Sequence, residues 1–267
     1  MSGARVVRNP LREPRFVLRR YTIIAVALLV VVAIIKDIIV DETDWGRMGT
    51  PAEILETASY FLPDMKFLPK IIVPLLETLL IALWGTGLGV VLALPVAYLA
   101  ARNVTLHPWF TYPLGRGLIV LSRSTHEVIF ALIYVSTLGL GPLPGILALA
   151  SRSVGFVAKT TAEAVENVQR GPIEAIEATG ASRLNVFFYG VVPQVFPTFV
   201  GNVIFQMDIN LRRASILGVV GAGGIGFLFA EVMQSVQYER AGTIVVGIIA
   251  LVVLGEFVSN RIRNRIL

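Results

Sequence analysis

The chain contains no cysteine. That excludes a disulfide framework, a thiolate metal site and a cysteine nucleophile. Histidine is nearly as scarce: only His107 and His126 occur, far apart in sequence, and no acidic cluster with ligand spacing accompanies them, so no metal site is expected. Charged residues make up only 15% of the 267 residues, against about a quarter in soluble domains. No G-x-x-x-x-G-K-[ST] sequence is present and no lysine follows a glycine, so the chain carries no phosphate-binding loop of its own. No Ser/His/Asp set or carboxylate pair suggests hydrolysis, and the chain reads as a non-catalytic protein. The net charge of +5 is not a nucleic-acid footprint, because the basic residues gather at the ends of apolar segments.

What fills the chain is apolar. Hydrophobic residues make up 55% of it, and the mean hydropathy is +0.75. One soluble core cannot bury that much apolar surface, so the lipid bilayer is the expected solvent. A spanning helix needs ~20 mainly apolar residues. Six stretches qualify, over 21–39, 71–100, 118–138, 142–165, 187–211 and 242–260, which predicts an all-α, polytopic membrane protein. The fifth continues apolar to 220, too long for one straight span; Pro193, Pro197 and Gly201 are candidate bends, and re-entry of its end is the alternative. No soluble domain and no repeat of fixed period are visible. The chain divides into 1–70, holding a basic arm, the first span and a polar loop, and a core over 71–267. The basic arm and apolar run resemble a signal peptide, but 36–40 continues without a small-residue cleavage site, so an uncleaved anchor is expected.

Charge asymmetry predicts the orientation. Arg5, Arg8, Arg12, Arg15, Arg19 and Arg20 precede the first span, and Arg261, Arg263 and Arg265 follow the last; such clusters mark cytoplasmic ends. The loop over 36–69 holds seven acids against three bases (Lys36, Arg47 and Lys66) and reads as external. The basic loop over 102–116 and the segment over 159–183 read as internal, and 221–240 as external. Both termini then lie inside.

The internal segment is informative. Pro172 suits a first helical turn, and Glu174 and Glu177 follow where the helix dipole favours acids. Ala175, Ile176 and Ala178 make a small apolar face. Gly180 suits a helix terminus, Ala181 follows, and Ser182 is placed to cap a second helix through Phe187. From the residues alone, this elbow is either an ordinary interfacial loop or a docking element.

The segment resembles the EAA coupling motif of ABC-importer permeases: Glu174, Ala175, Gly180 and Pro193 match, while Ile176, Gly190 and Val192 depart from it. From about residue 75 onward the chain resembles the permeases of phosphonate importers, which are related to phosphite and methionine permeases. The resembling features are Trp84-Gly85-Thr86, Leu138-Gly139-Leu140-Gly141-Pro142, Glu163-Ala164-Val165-Glu166, Ala178-Thr179-Gly180-Ala181, Tyr189-Gly190-Val191-Val192-Pro193-Gln194 and the 218–226 glycine run. The resemblance implies a type I, methionine-permease-like fold in a bacterial inner membrane and import of phosphonate or a related phosphorus oxyanion. It implies a homodimer, with two cytoplasmic ATPase subunits that carry the ATP and Mg, and an extracytoplasmic binding protein. Glu174, Ala175, Glu177, Ala178, Gly180 and Ala181 would couple to the ATPase.

Two sets of charges fall inside the apolar runs. Asp208 and Arg212 are four apart, as are Arg123 and Glu127, so each couple is expected to pair along a helix; Arg213 adjoins the first. Ionisable groups at membrane depth face a pathway or a partner, and an arginine fork suits an oxyanion. A structural role and a cargo contact are both open at this level. His126 reads as a satisfied polar core residue. Gly221, Gly223, Gly224 and Gly226 satisfy G-x-G-x-x-G, but without a soluble βαβ unit the pattern reads as a tight turn with close helix packing, which the resemblance puts near the pore mouth. A secondary transporter would be expected to show a repeat of spans, and a membrane enzyme acting on lipid phosphates would need clustered histidines and acids.

Overall fold

The computed structural model describes residues 14–44, 46, 49–105 and 107–266. Arg5, Arg8, Arg12 and Arg47 lie outside the described residues. The chain divides into two units, Met1–Thr57 and Ala58–Leu267.

In the first unit, α1 (Pro14–Ile35) runs into a π-helical turn, Lys36–Asp41. Residues 18–41 are apolar enough to cross a membrane, and their apolar stretch is not buried against the rest of the chain. α2 (Pro51–Ser59) begins just after a capping box: the Glu53 amide donates to Thr50 Oγ1, and the Thr50 amide donates to Glu53 Oε2 at 3.1 Å, satisfying two otherwise free donors at the helix start.

The second unit is built around α3 (Leu68–Ala100), α6 (Pro142–Glu166) and α9 (Val192–Leu217), which pack on one another. α4 (Thr111–Ser124) and α5 (Glu127–Leu138) lie against α6. α7 (Arg170–Glu177) and α8 (Arg183–Val186) form the link from α6 to α9, and α10 (Gly224–Gln234) and α11 (Tyr238–Ile266) close the chain. Among the described residues there is no strand.

α3 and α6 approach closely because their facing residues are small. A Cβ at Gly85 would lie 2.8 Å from Leu149 Cβ, and one at Gly89 2.6 Å from Ser153 Cβ. Gly85 and Gly89 are four apart, the small-xxx-small spacing that lets membrane helices touch backbone to backbone. At the same contact, Asn210 of α9 donates to Thr86 Oγ1 at 2.9 Å and to Ser153 Oγ at 2.8 Å, and Gln206 donates to Ser153 at 3.0 Å. This buried amide network joins the three central helices with its donors and acceptors paired, as a dry interior demands.

Among the described residues, four segments are long and apolar enough to cross a membrane: 18–41, 65–100, 183–220 and 238–265. The expected straight span over 118–138 is instead two helices, α4 and α5, meeting at 87°. Thr125 and His126 are both extended at the break. Ser122 explains where α4 is held: it donates to Ser151 O at 2.5 Å and accepts from the Gly155 amide at 2.8 Å. Its hydroxyl therefore stands inside the i→i−4 ladder of α6, an insertion that distorts a helix locally. α6 itself carries Arg152, Lys159 and Glu163, each with an ion-pair partner: Arg152 faces Glu127 at 3.8 Å and Lys159 lies 3.5 Å from Glu163. The fifth run is one continuous helix to Leu217, preceded by a π-helical turn, Phe187–Val191, where Pro193 withdraws a backbone donor.

Candidate functional site

The elbow forms much as its residues require. α7 starts at Arg170, so Gly171 and Pro172 both lie in its first turn. Gly180 has φ +76°, a left-handed geometry that favours glycine, and its amide donates to Glu177 O at 2.9 Å. Ser182 caps α8 by accepting from the Asn185 amide at 3.4 Å. Glu174, Ala175, Glu177, Ala178 and Gly180 are exposed and Ala181 is half-buried. The expected apolar face is displaced: Ala175 and Ala178 point outward, whereas Ile173 and Ile176 turn inward against Gly190, where a Cβ would lie 3.3 Å from Ile173 Cγ1 and 3.5 Å from Ile176 Cδ1. A bulkier residue at Gly190 would lift the elbow off α9.

Gln194 is the fastening that sequence reasoning missed as a site residue. Its Oε1 accepts from the Gln169 amide at 2.9 Å, and its Nε2 donates to Gln169 O at 3.3 Å and to Gly190 O at 2.6 Å. One side-chain amide therefore ties the residue that caps α7 to the start of α9. A cleft of about 930 Å³ opens beside the elbow, with Glu166, Arg170, Glu174, Glu177, Arg183 and Phe187 on its walls. Glu166 also accepts from Arg116 at 2.9 Å and from the Arg102 amide at 2.9 Å, fixing the loop before α4 to the end of α6.

Deeper in the helices, the structure re-sorts the charges. Asp208 and Arg212 pair along α9 as their spacing predicts. Arg123 and Glu127 do not: the break at residues 125–126 puts them on different helices, and Arg123 is exposed. Glu127 instead meets Arg213 of α9, Oε1 to Nε at 3.0 Å, and Arg152 of α6, Oε2 to Nε at 3.8 Å. Arg152 is an addition that sequence reasoning missed, since its partner Glu127 lies on another helix. His126 is no core residue. Its ring is exposed, and its Nδ1 accepts from the Val128 amide at 3.4 Å, capping α5. Among the described residues, no ion pair joins Asp208 or Arg212 to the Glu127 group.

The glycine run is a turn. Gly221, Gly223 and Gly224 have φ of +89°, +80° and +70°, and a Cβ at Gly226 would lie 2.2 Å from Ser215 O. The Gly224 amide donates to Glu77 Oε1 at 3.1 Å and the Ile225 amide to Thr78 Oγ1 at 2.8 Å, so α3 supplies the caps for the start of α10. The Gly141 amide donates to Gly221 O at 3.0 Å, joining the two glycine turns at one end of the unit.

An all-helical membrane unit with a helical elbow can be compared with known proteins. Residues 85–266 match the family described as binding-protein-dependent transport system inner membrane component. The chain belongs to this family. It is a permease subunit of an ABC transporter and an inner-membrane component, and not the subunit that hydrolyses ATP. The phosphite transport system permease protein PtxC of Stutzerimonas stutzeri is 40% identical over 216 residues, 81% of this chain and 78% of that protein. The phosphate-import permease protein PhnE of Mycolicibacterium smegmatis is 40% identical over 190 residues, 71% of this chain and 36% of that protein. The chain thus spans about a third of that relative's length. A structure of the MetNI methionine ABC transporter in an inward-facing conformation superimposes with a TM-score of 0.66, at 21% identity, covering 76% of this chain and 99% of that one. At that identity the likeness shows the fold alone, which is the expected methionine-permease-like one.

Proposed function

We propose that this permease carries phosphonate or a related phosphorus oxyanion, such as phosphite or phosphate, into the cytoplasm at the expense of ATP. The observation that carries the cargo class is the similarity to the phosphite permease, which extends over most of both chains. The arginines inside the helical unit agree with it, because a guanidinium fork makes paired hydrogen bonds to an oxyanion. A methionine permease, the second reading, shares the fold and at lower identity.

The working assembly on this reading is a homodimer with the pathway at its two-fold interface, two cytoplasmic ATPase subunits that bind ATP and Mg, and an extracytoplasmic binding protein. Both termini and the elbow face the cytoplasm, as the basic ends favour, and the glycine turns face outward at the pore mouth. Glu174, Ala175, Glu177, Ala178, Gly180 and Ala181 then form the surface that the ATPase pushes, while Arg123, Glu127, Asp208, Arg212 and Arg213 stand along the path.

Growth tests cargo and coupling together. A strain lacking this gene and redundant importers should fail on phosphonate as sole phosphorus source, and the wild-type gene should restore it. Gly180→Leu should not, because a leucine at φ +76° distorts the elbow. Growth of the deletion strain on phosphonate, phosphite and phosphate alike would contradict the cargo assignment, and full rescue by Gly180→Leu would contradict the coupling surface.

A further inference from the structure

Glu127 carries a negative charge on a path proposed for anions, which calls for a physical account. It is the first residue of α5 and 6% exposed. Its carboxylate reaches Arg213 at 3.0 Å and Arg152 at 3.8 Å. The second separation exceeds hydrogen-bond length, and the buried Oε2 has no hydrogen-bond partner. One carboxylate thus holds two guanidiniums without filling the five donors of either fork. Arg123, on the exposed side of the break, is close enough to repel Arg152 electrostatically, as is Arg213.

The contacts therefore set two guanidiniums against one carboxylate, an imbalance of one positive charge. The group also lies deep. Arg152 adjoins Ser153, which packs under Gly89 of α3, and Gly89 stands ~16 Å from the Ala100 end at the helical rise per residue. That is about the middle of a ~30 Å hydrocarbon layer. A buried pair kept only to join helices gains most when charges balance and every polar atom is bonded; here neither holds. The side chains of Arg152 and Arg213 keep 21% and 27% exposure, so the group is open on one side.

We propose that Glu127 is a resident stand-in for the cargo: it occupies Arg152 and Arg213 while the path is empty, and a doubly charged oxyanion displaces it from them. The proposal rests on the phosphorus-oxyanion reading and adds Arg152 as a cargo contact. Displacement explains why an acid belongs there. A site in a conduction path must bind well enough to admit its cargo and weakly enough to release it, and a tethered carboxylate competing for the same forks weakens binding without removing the arginines.

The test uses the permease–ATPase complex in nanodiscs, without binding protein, with radiolabelled methylphosphonate as the probe. Glu127→Gln removes the competitor and should tighten binding about tenfold, the scale of a charge-assisted hydrogen bond, while slowing uptake in liposomes holding the complete transporter. Arg152→Gln and Arg213→Gln should each weaken binding by about tenfold. The triple variant, E127Q with R152Q and R213Q, leaves no charge in the pair network and should assemble but neither bind nor transport. Unchanged affinity in Glu127→Gln, undetectable binding in every variant, or wild-type transport by the triple variant would each overturn the proposal. If Glu127→Gln does not assemble, Glu127→Asp serves instead: its shorter reach also predicts tighter binding, and an unchanged affinity overturns the idea. Wild-type uptake of methylphosphonate with no gain of affinity in the variants sinks this inference alone. Failure of wild type to take up methylphosphonate, phosphite or phosphate sinks the functional reading with it.

Discussion

At Gln194 a single amide joins two elements that must move together if the elbow drives the spans. It holds both backbone groups of Gln169 and one of Gly190. Replacing it with leucine keeps the bulk and removes all three bonds. Gln194→Leu should therefore keep assembly with the ATPase but lower uptake per ATP hydrolysed by several-fold, since the elbow loses its grip on α9; equal coupling ratios in liposomes would refute this. Such a residue is hard to read from sequence because the partner that matters, Gln169, lies 25 positions away in the chain. The same limit explains the charges. The i,i+4 spacing found Asp208 with Arg212, a pair inside one helix. It failed for Arg123 and Glu127 because it presumed an unbroken helix, and it gave no means of bringing Arg152 and Arg213 to Glu127 from two other helices. Gly180 and Ser182, by contrast, were legible because they act within one or two turns of their own position.

The close contact of α3 with α6 gives a sharper test of how the elements pack. Gly89 meets Ser153 and the Ala150 backbone, whereas a Cβ at Gly87 would meet nothing within 4 Å. Gly89→Val should separate the helices and break the Asn210 and Gln206 network, costing about 2–4 kcal/mol as overpacking and lost interhelical hydrogen bonds combine. Gly87→Ala, two residues away, should be neutral. Thermal unfolding in detergent checks both, and equal melting temperatures for the two variants would contradict the packing described. The lengths and apolar character of most helices could be read from hydropathy alone. The fold of α4 on α5 could not, because neither proline nor glycine marks the break. Its anchor is Ser122 reaching into the ladder of α6, a tertiary contact. α6 shows the converse: its charges lower its hydropathy, yet Arg152 and Lys159 each keep a carboxylate partner.

The whole chain makes sense as one part of an assembly. It has a polar elbow that carries exposed acids on one helix, two arginines drawn to one carboxylate of which a single oxygen lacks a hydrogen bond, and no phosphate-binding loop of its own. Family membership joins these features into a permease whose energy comes from another subunit. That conclusion separates it from a secondary transporter, which would need no ATPase at all. The most direct measurement is uptake of radiolabelled methylphosphonate into liposomes holding this permease and its ATPase, with the binding protein added outside and ATP with Mg sealed within. The account predicts accumulation that stops when ATP, the ATPase or the binding protein is omitted. Uptake that continues without ATP, or ATP-driven uptake of methionine in place of methylphosphonate, would contradict it.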